Sequence, residues 1–193
     1  MNIHTIILAA GAGSRMKSNQ AKVLQRIGGM SMLQRVLQTT RKLNSKSTVV
    51  LGHDKEGVLR HLQDIEGNIS TVIQANQLGT ADAVKSALHN TISDETILVL
   101  YGDVPLVSEK SLQELIDKSE NGFSILTTHL DDPFGYGRVI TDTNNFATAI
   151  VEEKDASDDE KLINEIFTGI LCINQKLLAA GLQEITNNNA AKE

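Results

Sequence analysis

Ile6-Ile7-Leu8-Ala9-Ala10-Gly11-Ala12-Gly13-Ser14-Arg15-Met16-Lys17, with Lys22-Val23-Leu24 just beyond, is the stretch whose reading decides the fold. Ile6 to Leu8 are continuously apolar, which predicts a strand buried on both faces. Ala10 to Gly13 are small enough for a ligand to approach the main chain. Backbone N–H groups of such a turn can converge on one concavity, and Arg15, Lys17 and Lys22 add positive charge within a few residues. The expected guest is anionic. A dinucleotide fingerprint would put a third glycine where Met16 stands, and a Walker A loop would need Gly-Lys-Ser/Thr, which follows neither glycine. Two readings stay open from these letters: a phosphate loop of another kind, or a tight turn with basic neighbours.

The periodicity of the following chain alternates. Met32, Leu33, Val36 and Leu37 recur at helical spacing over Ser31 to Lys42, and Thr48 to Leu51 read as a short buried strand ending in Gly52-His53-Asp54. Val58, Leu59, Leu62 and Ile65 predict the next helix and Ile69 to Ile73 the next strand. Strand, helix, strand, helix, strand is the order of a parallel sheet. Right-handed crossovers put helices on both faces and gather loops at the strands' C-terminal edge, where ligands bind in open α/β sheets. That edge receives the segment Gln74 to Thr80, with Thr80 the expected N-cap of a helix through Val84, Ala87 and Leu88. It also receives Tyr101-Gly102-Asp103-Val104-Pro105, after the buried strand Ile97 to Leu100. A carboxylate there suits Mg2+, which takes few protein carboxylates besides phosphate oxygens and water, or it closes the strand in an Asx turn.

Ser108 predicts the start of a helix through Leu112, Leu115 and Ile116, and Phe123 to Leu130 a strand. Asp131 to Val139 is a glycine-punctuated loop entering a strand, Thr143-Asn144-Asn145 a turn, and Ala149 to Lys154 a strand end. Ser157 to Glu160 reads as a capped, acidic helix start and Ile166 to Leu171 as another strand.

Composition bounds the function. The 193 residues predict one domain. A net charge of -6 argues against a nucleic-acid groove, and 3% aromatic residues without Trp argue against stacking platforms for single strands. Cys172 is alone, which excludes an internal disulfide and fits a reducing compartment. Met1-Asn2-Ile3-His4 has no basic leader and no apolar run approaches about 20 residues, so a cytoplasmic chain without membrane insertion is expected. The histidines His4, His53, His61, His89 and His129 lack ligand spacing and read as structural.

The string Leu8-Ala9-Ala10-Gly11-x-Gly13-Ser14-Arg15-Met16 with Lys22-Val23-Leu24 resembles the signature of the sugar-nucleotide pyrophosphorylases. Tyr101-Gly102-Asp103-Val104-Pro105-Leu106 and Gly135-Tyr136-Gly137-Arg138 narrow the resemblance to the uridylyltransferase domain of the bacterial bifunctional N-acetylglucosamine-1-phosphate uridylyltransferase and glucosamine-1-phosphate acetyltransferase. The resemblance implies an α/β, Rossmann-like nucleotidyltransferase with a mostly parallel central sheet flanked by helices. It implies UTP and N-acetylglucosamine 1-phosphate as substrates, Mg2+ as cofactor, and a role in cell-wall precursor synthesis. Carried over residue by residue, it makes Arg15 and Lys22 catalytic and Asp103 the metal ligand. The nucleotide falls to Leu8, Ala9, Ala10, Gly11, Gly13, Gln74, Gly79, Thr80, Tyr101 and Gly102, and the sugar to Gly137, Glu152, Phe167 and Thr168. Two positions depart from the family: Asp82 stands where it usually has His, and Phe167 where it usually has Asn, whose hydrogen bonds Phe cannot make.

The resemblance also implies that residues 1–193 form a nucleotidyltransferase domain incomplete at its C-terminus. A second metal ligand, an Asn, and the β-helix acetyltransferase domain would lie further on, and a homo-oligomer is possible in the full-length parent. Two other functions stay open on the residues: a non-catalytic nucleotide-binding fragment, and a Rossmann NAD-dependent oxidoreductase, which the absent third glycine disfavours.

Overall fold

The computed structural model describes residues 2–11, 13, 16, 18, 20–75, 78–92 and 95–185. The chain forms two compact units, one from Met1–Ser124 with Leu171–Ile185, the other built on Ile125–Ile170. In the first, β1 (Ile3–Ala9) is buried from His4 to Ala9. A short antiparallel pair, β2 (Arg26–Ile27) and β3 (Met30–Ser31), leads into α1 (Met32–Lys42). Ser31 caps α1 by accepting the Gln34 N–H at 3.0 Å, and Met32, Leu33, Val36, Leu37 and Thr40 form its buried stripe. Then come β4 (Lys46–Leu51), α2 (Lys55–Gln63), β5 (Ile69–Ile73), α3 (Thr80–Ala87), β6 (Thr96–Tyr101) and α4 (Glu109–Lys118). β1 lies between β4 and β6, parallel to both, with Ile6 opposite Thr48 on one side and Val99 on the other. β5 adds in parallel beyond β4, Val49 opposite Thr71.

The second unit holds β7 (Phe123–His129) from Ile125 on, β8 (Arg138–Thr141), β9 (Ala147–Val151), α5 (Asp158–Lys161) and the first part of β10 (Glu165–Asn174). β8 and β9 form an antiparallel hairpin whose turn places Asn145 at φ 62°, and β8 meets β10 at Arg138 and Ile166. Ser157 and Glu160 make a reciprocal capping box on α5. In the first unit the end of β10 pairs antiparallel with β6, Leu171 opposite Val99, and α6 (Gln175–Glu184) follows.

Strand alternation divides the core of the first unit. Ile6, Leu8, Val50, Ile97 and Val99 pack with Ala83, Val84 and Ala87 of α3 and Leu178 and Leu182 of α6. Their neighbours Ile7, Val49, Leu51, Leu98 and Leu100 are equally buried and project from the other face, the side of α1 and α4.

Several expected boundaries move. β4 starts at Lys46 rather than Thr48, and β10 runs to Asn174 because its pairing with β6 continues through Ile173 and Asn174. α2 ends at Gln63; Leu59 lies on its outer side, and Ile65 sits past the end in a turn closed by its N–H to the Leu62 carbonyl, so Val58 and Leu62 carry the buried stripe. β9 stops at Val151, because the N–H groups of Asp155 and Ala156 both turn back to the Glu152 carbonyl at 2.9 Å. Thr80 is not the N-cap of α3. Gly79 holds that place at φ 104°, ψ -177°, a conformation a side chain resists, and Thr80 is the first helical residue.

Candidate functional site

The parallel strands β1, β4, β5 and β6 end at one edge, and the residue after each enters the site. β1 sits at the point where the strand order reverses, between β4 and β6. Its exit is fastened on both sides: the Gly102 N–H donates to the Leu8 carbonyl at 2.9 Å, and the His53 N–H to the Ala10 carbonyl at 3.1 Å. These approaches need glycine. A Cβ on Gly52 would lie 2.6 Å from the Ala10 carbonyl oxygen, and one on Gly102 would lie 3.0 Å from Val23 Cγ1 and 3.3 Å from the Leu8 carbonyl oxygen. Gly13, at φ 57°, lets the turn pass the Lys22 stem, whose Cβ a side chain there would meet at 2.9 Å. Leu8, Ala9 and Ala10 are buried, whereas Gly11 faces open space.

Lys22 is held by its neighbours. Ala21, Val23 and Leu24 are buried, and Asp54, at φ 50° before α2, accepts the Gly57 N–H through Oδ1 (3.2 Å) and the Ala21 N–H through Oδ2 (3.1 Å). So placed, Lys22 Nζ lies 2.7 Å from Asp103 Oδ2, with the two side chains 42% and 27% exposed. The expected catalytic lysine and metal ligand therefore meet. Arg15, the other expected catalytic residue, lies outside the described residues. Asp103 suits Mg2+: it is a half-exposed carboxylate with one oxygen on Lys22, and this ion needs few protein ligands where phosphate oxygens and water complete its shell. Among the described residues no three His, Cys, Asp or Glu side chains gather, so these do not form an all-protein cage.

Gln74 follows β5 and is only 6% exposed. Its backbone N–H donates to the Leu51 carbonyl (2.8 Å), and its side-chain Nε2 donates to Asp82 Oδ2 (2.8 Å) and the Gly79 carbonyl (3.2 Å). It lines a groove of about 670 Å³ with Gly52, His53, Asp54 and Ile73. Thr80 Oγ1 lies 3.4 Å from the Tyr101 hydroxyl, so these two expected nucleotide residues are neighbours.

The second unit brings its own expected residues together. A Cβ on Gly137 would lie 3.1 Å from Glu152 Oε1, and the Gly137 carbonyl accepts the Phe167 N–H at 2.9 Å. Thr168 Oγ1 donates inward to the Leu126 carbonyl at 2.7 Å. Arg138, 2% exposed, donates through one terminal nitrogen to Glu153 Oε2 at 2.7 Å and through the other to the Tyr136 carbonyl. Glu153 also accepts the Gly135 N–H (3.1 Å); the Arg138 hydrogen bond first, and that N–H second, hold its carboxyl below the usual carboxylate range.

The MobA-like NTP transferase domain matches residues 5–162. The chain belongs to that family. It is by family a nucleotidyltransferase. "Bifunctional protein GlmU" of Francisella tularensis subsp. novicida (strain U112) is 44% identical over 195 residues, covering 100% of this chain and 42% of the relative. "Bifunctional protein GlmU" of Neisseria meningitidis serogroup B (strain ATCC BAA-335 / MC58) is 44% identical over 192 residues, covering 99% and 41%. The chain thus spans less than half the length of these curated relatives. A UDP-glucose pyrophosphorylase complexed with UDP-glucose superposes with a TM-score of 0.78 at 15% identity, over 97% of this chain and 81% of the other. A 4-diphosphocytidyl-2C-methyl-D-erythritol synthase from Anaerococcus prevotii does so at 0.67 and 19%, over 95% and 75%. At such identities these likenesses speak for the fold: a mixed sheet with a mostly parallel core, flanked by helices.

Three features of this NTP transferase domain went unread in the sequence. Gly52 was seen only as a strand end, although a glycine directly after a buried strand signals close backbone approach. Asp54 shares no local pattern with Ala21, 33 residues away. Arg138 and Glu153 carry no sequence pattern that pairs them, yet they form an ion pair at 2.7 Å in the second unit.

Proposed function

We propose that this chain transfers UMP from UTP to N-acetylglucosamine 1-phosphate, with Mg2+, giving UDP-N-acetylglucosamine and pyrophosphate in the cytoplasm for cell-wall precursors. The observation that carries the reading is the 2.7 Å contact of Lys22 Nζ with Asp103 Oδ2, beside a turn whose glycines open its backbone to a ligand.

The acceptor's phosphate oxygen is already an anion at neutral pH, so no general base is required. What remains is to align two polyanions and offset the charge that develops between them. The Lys22 ammonium has three donors, of which one meets Asp103; the others are available to phosphate oxygens. Arg15 would add a forked cation to the same loop. Asp103 would hold Mg2+, which supplies charge neutralisation at the triphosphate when bound. The backbone of Leu8, Ala9, Ala10, Gly11 and Gly13, with Gln74, Gly79 and Thr80, would take base and ribose over the floor made by Tyr101 and Gly102. Gly137, Glu152, Phe167 and Thr168 would take the sugar, Glu152 accepting from its hydroxyls. The Phe167 N–H is already given to Gly137, and its side chain offers a ring instead of an amide, so its contact with an acetamido group would be apolar.

The test is pyrophosphate release from UTP and Mg2+ with and without N-acetylglucosamine 1-phosphate, using Asp103→Ala as control. Release that depends on the acceptor and is lost in the variant is the expected result. UTP bound without turnover would assign the chain as a nucleotide-binding domain instead, and absence of UTP binding overturns the reading.

A further inference from the structure

Both hydrogens of the Gln74 side-chain amide are committed: Nε2 donates to Asp82 Oδ2 at 2.8 Å and to the Gly79 carbonyl at 3.2 Å. Neither partner can donate. A carboxylate and a backbone carbonyl therefore fix which end of the amide is nitrogen, where many glutamines could sit either way round. Among the described residues the remaining polar atom of the side chain, Oε1, meets no donor, and it can only accept. The anchor is firm, because Gln74 is buried and its own N–H is bonded to Leu51, while Asp82 belongs to the first turn of α3 rather than to a loop.

We infer that Asp82 is a positioning residue that locks Gln74 as a hydrogen-bond acceptor, so that the nucleotide taken must present a ring N–H, as uracil or thymine does and cytosine does not. The inference rests on the reading of Gln74 as a residue that contacts the base. The imide N–H of uracil donates to Oε1. At the same ring position cytosine carries a lone pair, and a glutamine that cannot turn over meets it acceptor to acceptor, leaving two polar atoms unpaired. An asparagine at position 82 can present its amino group to a turned Gln74, leaving the longer contact with the Gly79 carbonyl alone to oppose the turn, so Gln74 can point its own N–H outward. Asp82 also puts a negative charge in the first turn of α3, which favours the helix. That effect appears in stability and not in the choice of base.

The experiment is equilibrium binding of UTP, CTP and N3-methyl-UTP, each with Mg2+, to the wild-type chain and to Asp82→Asn, with melting temperatures alongside. The wild type is expected to bind UTP at least about tenfold more tightly than either CTP or N3-methyl-UTP, the size of one hydrogen bond exchanged for an unpaired group. Asp82→Asn should narrow the UTP-to-CTP ratio by about tenfold. An unchanged ratio in the variant, or N3-methyl-UTP bound as tightly as UTP, overturns the inference and leaves the uridylyl reading standing. Wild type that binds no UTP overturns that reading and this inference together. The methylated nucleotide is tested on the wild type, so that arm decides even if Asp82→Asn does not fold.

Discussion

Gly52 and Asp54 show how single residues set the site through the backbone they hold. A methyl group on Gly52 has no flexible neighbour to displace: it meets the Ala10 carbonyl oxygen at 2.6 Å and the Ala10 Cβ at 2.8 Å. Gly52→Ala should therefore cost about 1–3 kcal/mol in urea denaturation, as overpacking does, and weaken UTP binding because the displaced atom belongs to the turn itself. Unaltered stability would mean that β4 and β1 separate more easily than their pairing suggests. Asp54→Ala removes the cap of α2 and leaves a left-handed residue without the side chain that tolerates it, a loss of about 2 kcal/mol. Asp54→Asn keeps the cap and the left-handed preference but has one acceptor oxygen for two N–H groups. It should recover most of the stability while binding UTP less tightly than wild type, since the Ala21 end of the Lys22 segment is the one released.

At the scale of elements, the N-terminal ends of the strands carry a buried polar chain. His4 on β1 bonds through Nδ1 to Glu95 Oε2 at 3.1 Å and through Nε2 to Thr48 Oγ1 on β4 at 2.7 Å, and Thr48 meets Ser70 on β5 at 2.7 Å. Burial pushes the His4 imidazole below its ordinary 6.5 despite the raising effect of Glu95, and burial followed by Arg26 does the same to His61. The folded chain thus prefers both rings neutral. Above pH 6.5 this contribution to stability is whole; as pH falls below 6.5 the unfolded chain takes up protons first, and stability declines until the lowered folded-state values are passed. Urea midpoints measured from pH 7.5 to 5.5 should show that decline, and His4→Gln should make it shallower, leaving the part that belongs to His61; a flat wild-type profile would show that neither ring is perturbed. Much at this scale was legible beforehand. The period of α1 and both ends of β5 follow from local letters, because helix faces and strand alternation repeat within a few residues. The bond from Ala21 to Asp54 and the pairing of Arg138 with Glu153 were not legible, because they depend on which backbone segments register brings side by side. The contact of Lys22 with Asp103, 81 residues apart, could not be had from spacing.

For the whole molecule, a net charge of -6 leaves polyanion binding to local cations and directed donors. The residues expected to take the nucleotide lie in the first compact unit and those expected to take the sugar in the second, so the ligands can be assigned separately. UTP with Mg2+ at about 100 times its Kd should add about 2.7 kcal/mol to unfolding, a shift Lys22→Ala should abolish. Amide exchange then locates each ligand. With UTP, slowed exchange is expected around Ala10, Gln74 and Gly102, because those amides lie beside the turn and at the ends of β5 and β6. With N-acetylglucosamine 1-phosphate it is expected around Gly135 and Gly137, where the loop is already tied to Glu153 and Phe167 and a ligand on Glu152 would restrict it further. Protection by the sugar phosphate confined to the first unit would take Gly137, Glu152, Phe167 and Thr168 out of sugar recognition. The Arg138–Glu153 pair of the second unit would then serve folding alone.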